Sequence, residues 1–154
     1  MGRLIVMGGA FGGGNITAAV EFNIWSDPEA ARRVLAGSAV PTTLVPLDLT
    51  HRILVPLDCL NALARSGPVD SALASLTSPG RAHYRHELGV DALIGHDEVA
   101  VAEAIWPGTL DCRSPTVDVE CGQGRTCGAT IADHRLGGQD QSAGRKIQVA
   151  VDLA

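Results

Sequence analysis

The sequence predicts an α/β fold: a mainly parallel sheet flanked by helices, with extra strands at the C-terminal end. Three observations carry this expectation. Short apolar runs alternate with segments of helical spacing. Glycine and proline punctuate the stretches between them. A chain of 154 residues that is 45% hydrophobic and 19% charged can bury a core and does not have the composition of a disordered segment. Strands that alternate with helices suit parallel pairing, because a parallel neighbour is reached only through a crossover. Aromatic residues are 3% of the chain, so the core must come from Ala, Val, Leu and Ile.

The elements follow in order. Leu4-Ile5-Val6-Met7 reads as a buried strand that runs into a glycine-rich loop over residues 8–15. Asp27-Pro28-Glu29 opens a helix, with Asp as N-cap, Pro in the first helical position and an acid in the first turn. Ala31, Val34 and Leu35 share its apolar face, and Gly37 stops it. Residues 42–47 are β-branched with little alternation, as in an inner strand. Helical spacing resumes over 57–64 and ends at Ser66-Gly67-Pro68. Residues 69–88 read as helical but polar, broken at Ser78-Pro79-Gly80, and 99–105 as an apolar helix ended by Pro107-Gly108. Residues 116–120 and 147–151 alternate with period two, the pattern of strands with one wet face. No repeat or linker divides the chain, so 1–154 reads as belonging to one domain.

The net charge of −5 excludes a basic nucleic-acid or anionic-membrane surface, and the basic residues, nearly all Arg, form no run. No apolar stretch nears the ~20 residues of a spanning helix, and the start lacks a signal-peptide pattern, so the expected compartment is the cytoplasm. The four cysteines (Cys59, Cys112, Cys121, Cys127) contain no C-x-x-C pair. A zinc site of Cys121, Cys127 and His134 fits no common spacing, and buried or idle thiols are expected instead.

Three clusters invite chemistry. Gly9 and Gly14 have the spacing of a phosphate cradle, but Asn15 and Ile16 stand where it needs Lys and a hydroxyl. Asn15, Glu21 and Asn23 surround Phe22, and amides with a carboxylate can make directional contacts to sugar hydroxyls. A glutamate at a helix start is, taken alone, commonly a solvated charge. Gly95-His96-Asp97-Glu98 leads into Val99; it reads either as Asp97 capping a helix beside a surface His96, or as a hard-metal carboxylate beside a proton donor. His83 and His86 stand three apart without the H-E-x-x-H pattern and read as a solvated face.

Met7-Gly8-Gly9-Ala10-Phe11, Gly14-Asn15-Ile16-Thr17, Glu21-Phe22-Asn23 and Asp27-Pro28-Glu29-Ala30-Ala31, in this order and spacing, resemble the inosine-uridine-preferring nucleoside hydrolases. Val45-Pro46-Leu47-Asp48-Leu49-Thr50-His51 resembles that family's strand and turn, and Gly95-His96-Asp97 with Val99-Ala100-Val101-Ala102 its catalytic and metal-ligand segment. Gly122-Gln123-Gly124-Arg125-Thr126 through Asp133 resembles its closing strands.

The resemblance implies a partial Rossmann-like nucleoside hydrolase fold and hydrolysis of a ribonucleoside to free base and ribose, with a bound calcium ion. It implies that His96 is catalytic, protonating the departing base, and that Asp97 is a calcium ligand touching the ribose hydroxyls. Asn23 would hold a ribose hydroxyl, Met7, Asn15 and Glu21 would line the 5′ end, and Phe22 would pack near the sugar. Tyr84 would match an aromatic on the loop over the base. Glu98 and Ala18 depart from common prolines. The family's D-x-D-x-x-x-D-D cluster is absent, for no two aspartates adjoin. The resemblance therefore implies the C-terminal part of such a domain, with an incomplete calcium site, incomplete or inactive alone. Its expected partners are a ribonucleoside and either copies of itself in a homo-oligomer or a missing N-terminal half, with no nucleic acid and no membrane. The alternative is a non-catalytic ribosyl-binding or oligomerising remnant of the family.

Overall fold

A computed structural model of the chain describes residues 2–135 and 144–154. In chain order it contains β1 (Leu4–Met7), α1 (Phe22–Ser26), α2 (Pro28–Leu35), β2 (Thr42–Val45) and α3 (Leu47–Thr50). Next come β3 (Leu54–Pro56), α4 (Leu57–Ala64), α5 (Pro68–Leu76), α6 (Ser78–Leu88) and β4 (Ala92–Ile94). The C-terminal portion adds α7 (Asp97–Ile105), β5 (Leu110–Arg113), β6 (Thr116–Val119), β7 (Thr130–Asp133), β8 (Arg145–Lys146) and β9 (Gln148–Leu153). These elements form two compact units, one of Met1–Thr50 with His96–Ala154 and one of His51–Gly95.

The larger unit is built on a sheet of order β1-β2-β9-β5. β1, β2 and β9 run parallel, and β5 closes the far edge antiparallel to β9, with a register shift between Asp111 and Cys112. The apolar run of β2 is thus an inner strand, as its lack of alternation predicts. β9 lies inside the sheet, between β2 and β5; its alternation of buried and exposed residues holds over 147–149 and breaks at Ala150, which is buried like Val149. β6 does alternate, with Val117 and Val119 buried, and pairs with β7 and β8 in a second, antiparallel sheet. Leu44 of β2 and Val149 of β9 meet Val117 and Val119 of β6, Ile24 of α1 and Leu35 of α2 in one core. Apart from Phe11 on its margin this core is aliphatic, matching the scarcity of aromatics.

Local signals explain the helix starts. The Asp27 side chain accepts from the Ala30 N–H at 2.9 Å, and Pro28 occupies the first turn of α2, as expected. Arg32 of α2 then reaches Asp118 of β6 with two hydrogen bonds of 2.7 and 2.9 Å, fixing the helix over the second sheet. In the smaller unit, β3 and β4 pair antiparallel. Arg81 and Arg85 of α6 both donate to Asp91, just before β4, and hold its carboxyl below its usual range. The break expected at Ser78-Pro79-Gly80 lies one residue earlier, at Thr77, because Pro79 serves in the first turn of α6.

All four thiols are free; Cys59 and Cys112 are exposed, and Cys121 and Cys127 half-buried.

Glu103 of α7 is the buried acid that ties both ends of the larger unit together. It accepts from Arg3 at 3.0 Å, from the Gly108 N–H at 3.1 Å and from the Leu110 N–H at 3.2 Å. Burial alone would push its carboxyl up; the bonds from Gly108, Arg3 and Leu110 outweigh that and hold it below 4.5. A lowered folded-state pKa gives stability that is complete above the unfolded value and lost as pH falls through the folded one. Glu103→Gln should therefore lower stability at neutral pH by about 1–3 kcal/mol. The gap from the wild type should narrow in melts taken at successively lower pH beneath the carboxylate range.

Candidate functional site

In open α/β sheets, ligands collect at the carboxyl ends of parallel strands. Here those ends carry the loop over residues 8–20, after β1, and the Pro46–Thr50 turn, after β2. From Gly8 to Gly12 the loop is held by an acceptor at each successive N–H. Gly8 donates to the Val45 carbonyl at 3.1 Å. Gly9 donates to Glu21 Oε2 at 3.0 Å and Ala10 to Thr130 Oγ1 at 2.9 Å. Phe11 and Gly12 donate to the two Asp48 oxygens at 2.8 and 2.7 Å. The N–H groups from Gly8 to Gly12 are thus already taken, two of them by the two oxygens of one carboxylate. Gly9 has φ of +77°, and a Cβ there would stand 2.9 Å from the Thr130 methyl, so both conformation and packing demand glycine.

Glu21 is no solvated charge: it is 2% exposed. Besides Gly9, it accepts from the N–H groups of Asn23 at 2.8 Å and Ile24 at 3.1 Å, capping α1. Asn15 Oδ1 accepts from the Phe22 N–H at 2.9 Å, so loop and helix start are stitched twice. With α1 so fixed, the Asn23 amide lies over Met7, its Nδ2 3.4 Å from Sδ. Met7 and Asn23 then line a hollow of about 250 Å³ with Ile24, Asp27 and Val34. The Phe22 ring is exposed beside Trp25, their centroids 6.3 Å apart. Met7, Asn15, Glu21, Phe22 and Asn23 thus form one cluster.

His96 and Asp97 lie at the start of α7, which packs on β1. The expected cap is shifted by one residue: His96 occupies the N-cap and Asp97 is the first helical residue, with no side-chain capping bond. Asp97 is exposed, and His96 half-buried. His96 Nδ1 lies 2.8 Å from the hydroxyl of Thr50, which is fully buried at the end of α3. In the imidazolium, the form that can protonate a leaving group, Nδ1–H donates to the Thr50 hydroxyl and the Nε2 proton is left for transfer.

Tyr84 belongs to the smaller unit, where its ring packs beside His83 at 5.4 Å between centroids.

Calcium takes 6–8 oxygen ligands. Among the described residues no three His, Cys, Asp or Glu side chains gather as a metal-holding group. The described residues do not by themselves fit a resident calcium ion, and Cys121, Cys127 and His134 do not gather as a zinc site. Thr50, Asp48 and Thr130 were not singled out in the sequence as site residues. Asp48 and Thr50 stand inside the quoted strand-and-turn motif, whereas nothing in the sequence near Thr130 points to a partner 120 residues away.

Fold and cluster together define an α/β protein with a polar cluster at the carboxyl end of its first parallel strand. The family described as inosine-uridine preferring nucleoside hydrolase matches residues 1–154, and the chain belongs to it. An uncharacterised Schizosaccharomyces pombe protein is 39% identical over 135 residues, covering 85% of this chain and 41% of that protein. A pyrimidine-specific ribonucleoside hydrolase of Escherichia coli is 31% identical over 151 residues, covering 97% of this chain and 48% of that enzyme. Among solved structures, a plant nucleoside hydrolase superposes with TM-score 0.87 at 25% identity, over 98% of this chain and 49% of that one. A purine-preferring ribonucleoside hydrolase from Gardnerella vaginalis gives TM-score 0.80 at 28% identity, over 96% and 46%. The chain thus spans about half the length of these two enzyme structures.

Glu21→Ala should cost at least about 2 kcal/mol, since it removes a cap and orphans the buried Gly9 N–H. Asn23→Ala, at an exposed position, should change stability by no more than about 0.5 kcal/mol. Denaturant melts of the two variants should separate the residue that builds the cluster from the one that faces outward.

Proposed function

We propose that this chain carries the sugar-binding and leaving-group side of a ribonucleoside hydrolase site and belongs to a nucleoside hydrolase domain. The observation that carries this reading is the assembly of Met7, Asn15, Glu21, Phe22 and Asn23 into one cluster at the end of β1. In it, Asn23 presents an amide to a ribose hydroxyl, and Met7 with Asn15 borders the 5′ end. Glu21 shapes that border through the backbone it holds, and Phe22 offers an apolar face to the sugar. Tyr84 is assigned to the base on the family resemblance. His96 protonates the departing base, its Nδ1 side held by Thr50.

Such general-acid help is worth ~10²–10⁴-fold, well short of what enzymatic glycosidic cleavage requires. Calcium, expected from the family, would find the Asp97 carboxylate as its one evident donor here, and no step is assigned to it. β1 is an edge strand, and α7, packed on it, exposes Val101, Ile105 and Trp106. That surface supports association with further copies or with the other half of such a fold. The cytoplasm remains the compartment read from the sequence.

The test pairs binding with turnover. Inosine or uridine should shift the Asn15 and Asn23 side-chain amide resonances in proton–nitrogen spectra, and Asn23→Ala should abolish the response. With calcium present, the purified chain should release no base. Binding without turnover is also what a ribosyl-binding remnant would give, and addition of the N-terminal half of a relative separates the two by restoring activity or failing to. Spectra unmoved by millimolar nucleoside would overturn the sugar-site assignment, and turnover lost in His96→Ala would overturn the claim of incompleteness.

A further inference from the structure

The basic residues form no run in the sequence, yet folding brings three of them to one end of the second sheet. There Thr116 of β6 stands opposite Asp133 of β7 on one side and opposite Lys146 of β8 on the other. Residues directly opposed across a ladder project from the same face, so Asp133, Thr116 and Lys146 form one row. Arg113 and Ser114 lead into this end of β6. The Ile147 N–H donates to the Pro115 carbonyl at 3.3 Å, which ties that approach to the junction of β8 and β9. His134 and Arg135 continue from β7, and these segments together line a cleft of about 400 Å³.

The charge of the cleft runs against that of the chain. The net charge is −5, but Arg113, Arg135 and Lys146, the only lysine, all line the cleft. Against them stands one acid among the described residues, Asp133, and it is already matched. Arg135 donates to it from Nε at 2.9 Å, from Nη2 at 2.7 Å and from its backbone N–H at 2.9 Å. The side-chain bond from Arg135, with the backbone bond next, pulls the Asp133 carboxyl down to about 2, so it stays ionised and paired. Arg113 and Lys146 have no carboxylate partner among the described residues. Two uncompensated cations that share a concave surface focus a positive potential on it.

We propose that this cleft binds a phosphate group, carried either by inorganic phosphate or by the phosphomonoester of a small sugar. The Arg113 guanidinium is a planar fork of N–H donors that fits two phosphate oxygens at once, and the Lys146 ammonium adds a second charge on a flexible stem. The Ser114 and Thr116 hydroxyls, on the same stretch of backbone, are further donors for the remaining oxygens. A phosphomonoester carries about −1.5 to −2 at neutral pH, which two cations offset, whereas a carboxylate leaves one of them unmatched. The cleft falls within the ~300–1,000 Å³ of small-molecule sites, which leaves room for a sugar beside the phosphate.

The chain is titrated at fixed ionic strength with inorganic phosphate and, separately, with ribose 5-phosphate. Both should give saturable shifts of the Ser114, Thr116 and Lys146 backbone amides in proton–nitrogen spectra. Tighter binding of the sugar phosphate assigns the phosphomonoester, and equal or weaker binding assigns free phosphate. Arg113→Ala and Lys146→Ala should each weaken binding at least about tenfold, the loss of one charge-assisted contact. Lys146→Arg, which keeps the charge, should retain most of the affinity. Arg65→Ala, in the smaller unit, removes the same charge from the chain and should leave binding unchanged. Far-UV circular dichroism checks that each variant is folded. Amides unmoved by millimolar phosphate, an equal response to acetate, or Arg65→Ala weakening binding as much as Arg113→Ala would each overturn the proposal.

Discussion

A single carboxylate organises the candidate site. Glu21 accepts three backbone N–H groups, one from the glycine turn after β1 and two from the first turn of α1. Removing a carboxylate from water is costly, and bonds of this charge-assisted kind are what make it tolerable. The geometry that results is not local to Glu21. It sets the distance between the end of β1 and the start of α1, and so decides that Asn23 lies over Met7. Thr130 and Asp48 work on the next residues of the same loop from other elements, the hydroxyl on Ala10 and the carboxylate on Phe11 and Gly12. A loop rich in glycine would otherwise be loose. Here its N–H groups from Gly8 to Gly12 are all committed, which makes it a rigid floor and removes it as an anion site.

Much of the fold was legible because local chemistry is strong where it matters. The apolar run of β2, the Asp27-Pro28 start of α2 and the 57–64 spacing of α4 each announce themselves within a few residues. The short strands β3 and β4 were not legible. They have three residues each, below the length at which periodicity says anything, and exist because they pair with one another. β9 was legible as a strand but not in its place. Its position between β2 and β5 is fixed by pairing partners more than thirty residues away in the chain. Strand position within a sheet is a non-local property that no window reports.

The candidate site shows the same division. The residues expected to meet ribose were legible as a group because their spacing in the chain is short and they share one turn and one helix start. Their individual jobs were not. Glu21 and Asn23 stand two residues apart with similar hydrogen-bonding potential, yet one is buried and spent on the backbone while the other faces outward. Capping geometry makes that choice: the residue that ends in the N-cap position turns its side chain back toward the helix N–H groups, and the residue at the second helical position cannot. The one-residue shift at α7, with His96 rather than Asp97 at the cap, follows the same logic in reverse. Without a side-chain bond to the helix, the Asp97 carboxylate stays exposed.

His96 and Asp97 therefore differ from the Glu21 group in how completely the chain supports them. His96 has a buried hydroxyl at one ring nitrogen, enough to orient the ring. Asp97 is not gathered with two further acids or histidines among the described residues. The orientation of the His96 ring is supplied locally, by the α3 turn that carries Thr50. A hard-metal site needs several oxygens converging from different strands, a demand that one helix start cannot meet. The Glu21 cluster and the His96–Thr50 pair are local constructions and are built within these residues. Metal ligation is a convergent one, and no such convergence of three His, Cys, Asp or Glu side chains is present among the described residues.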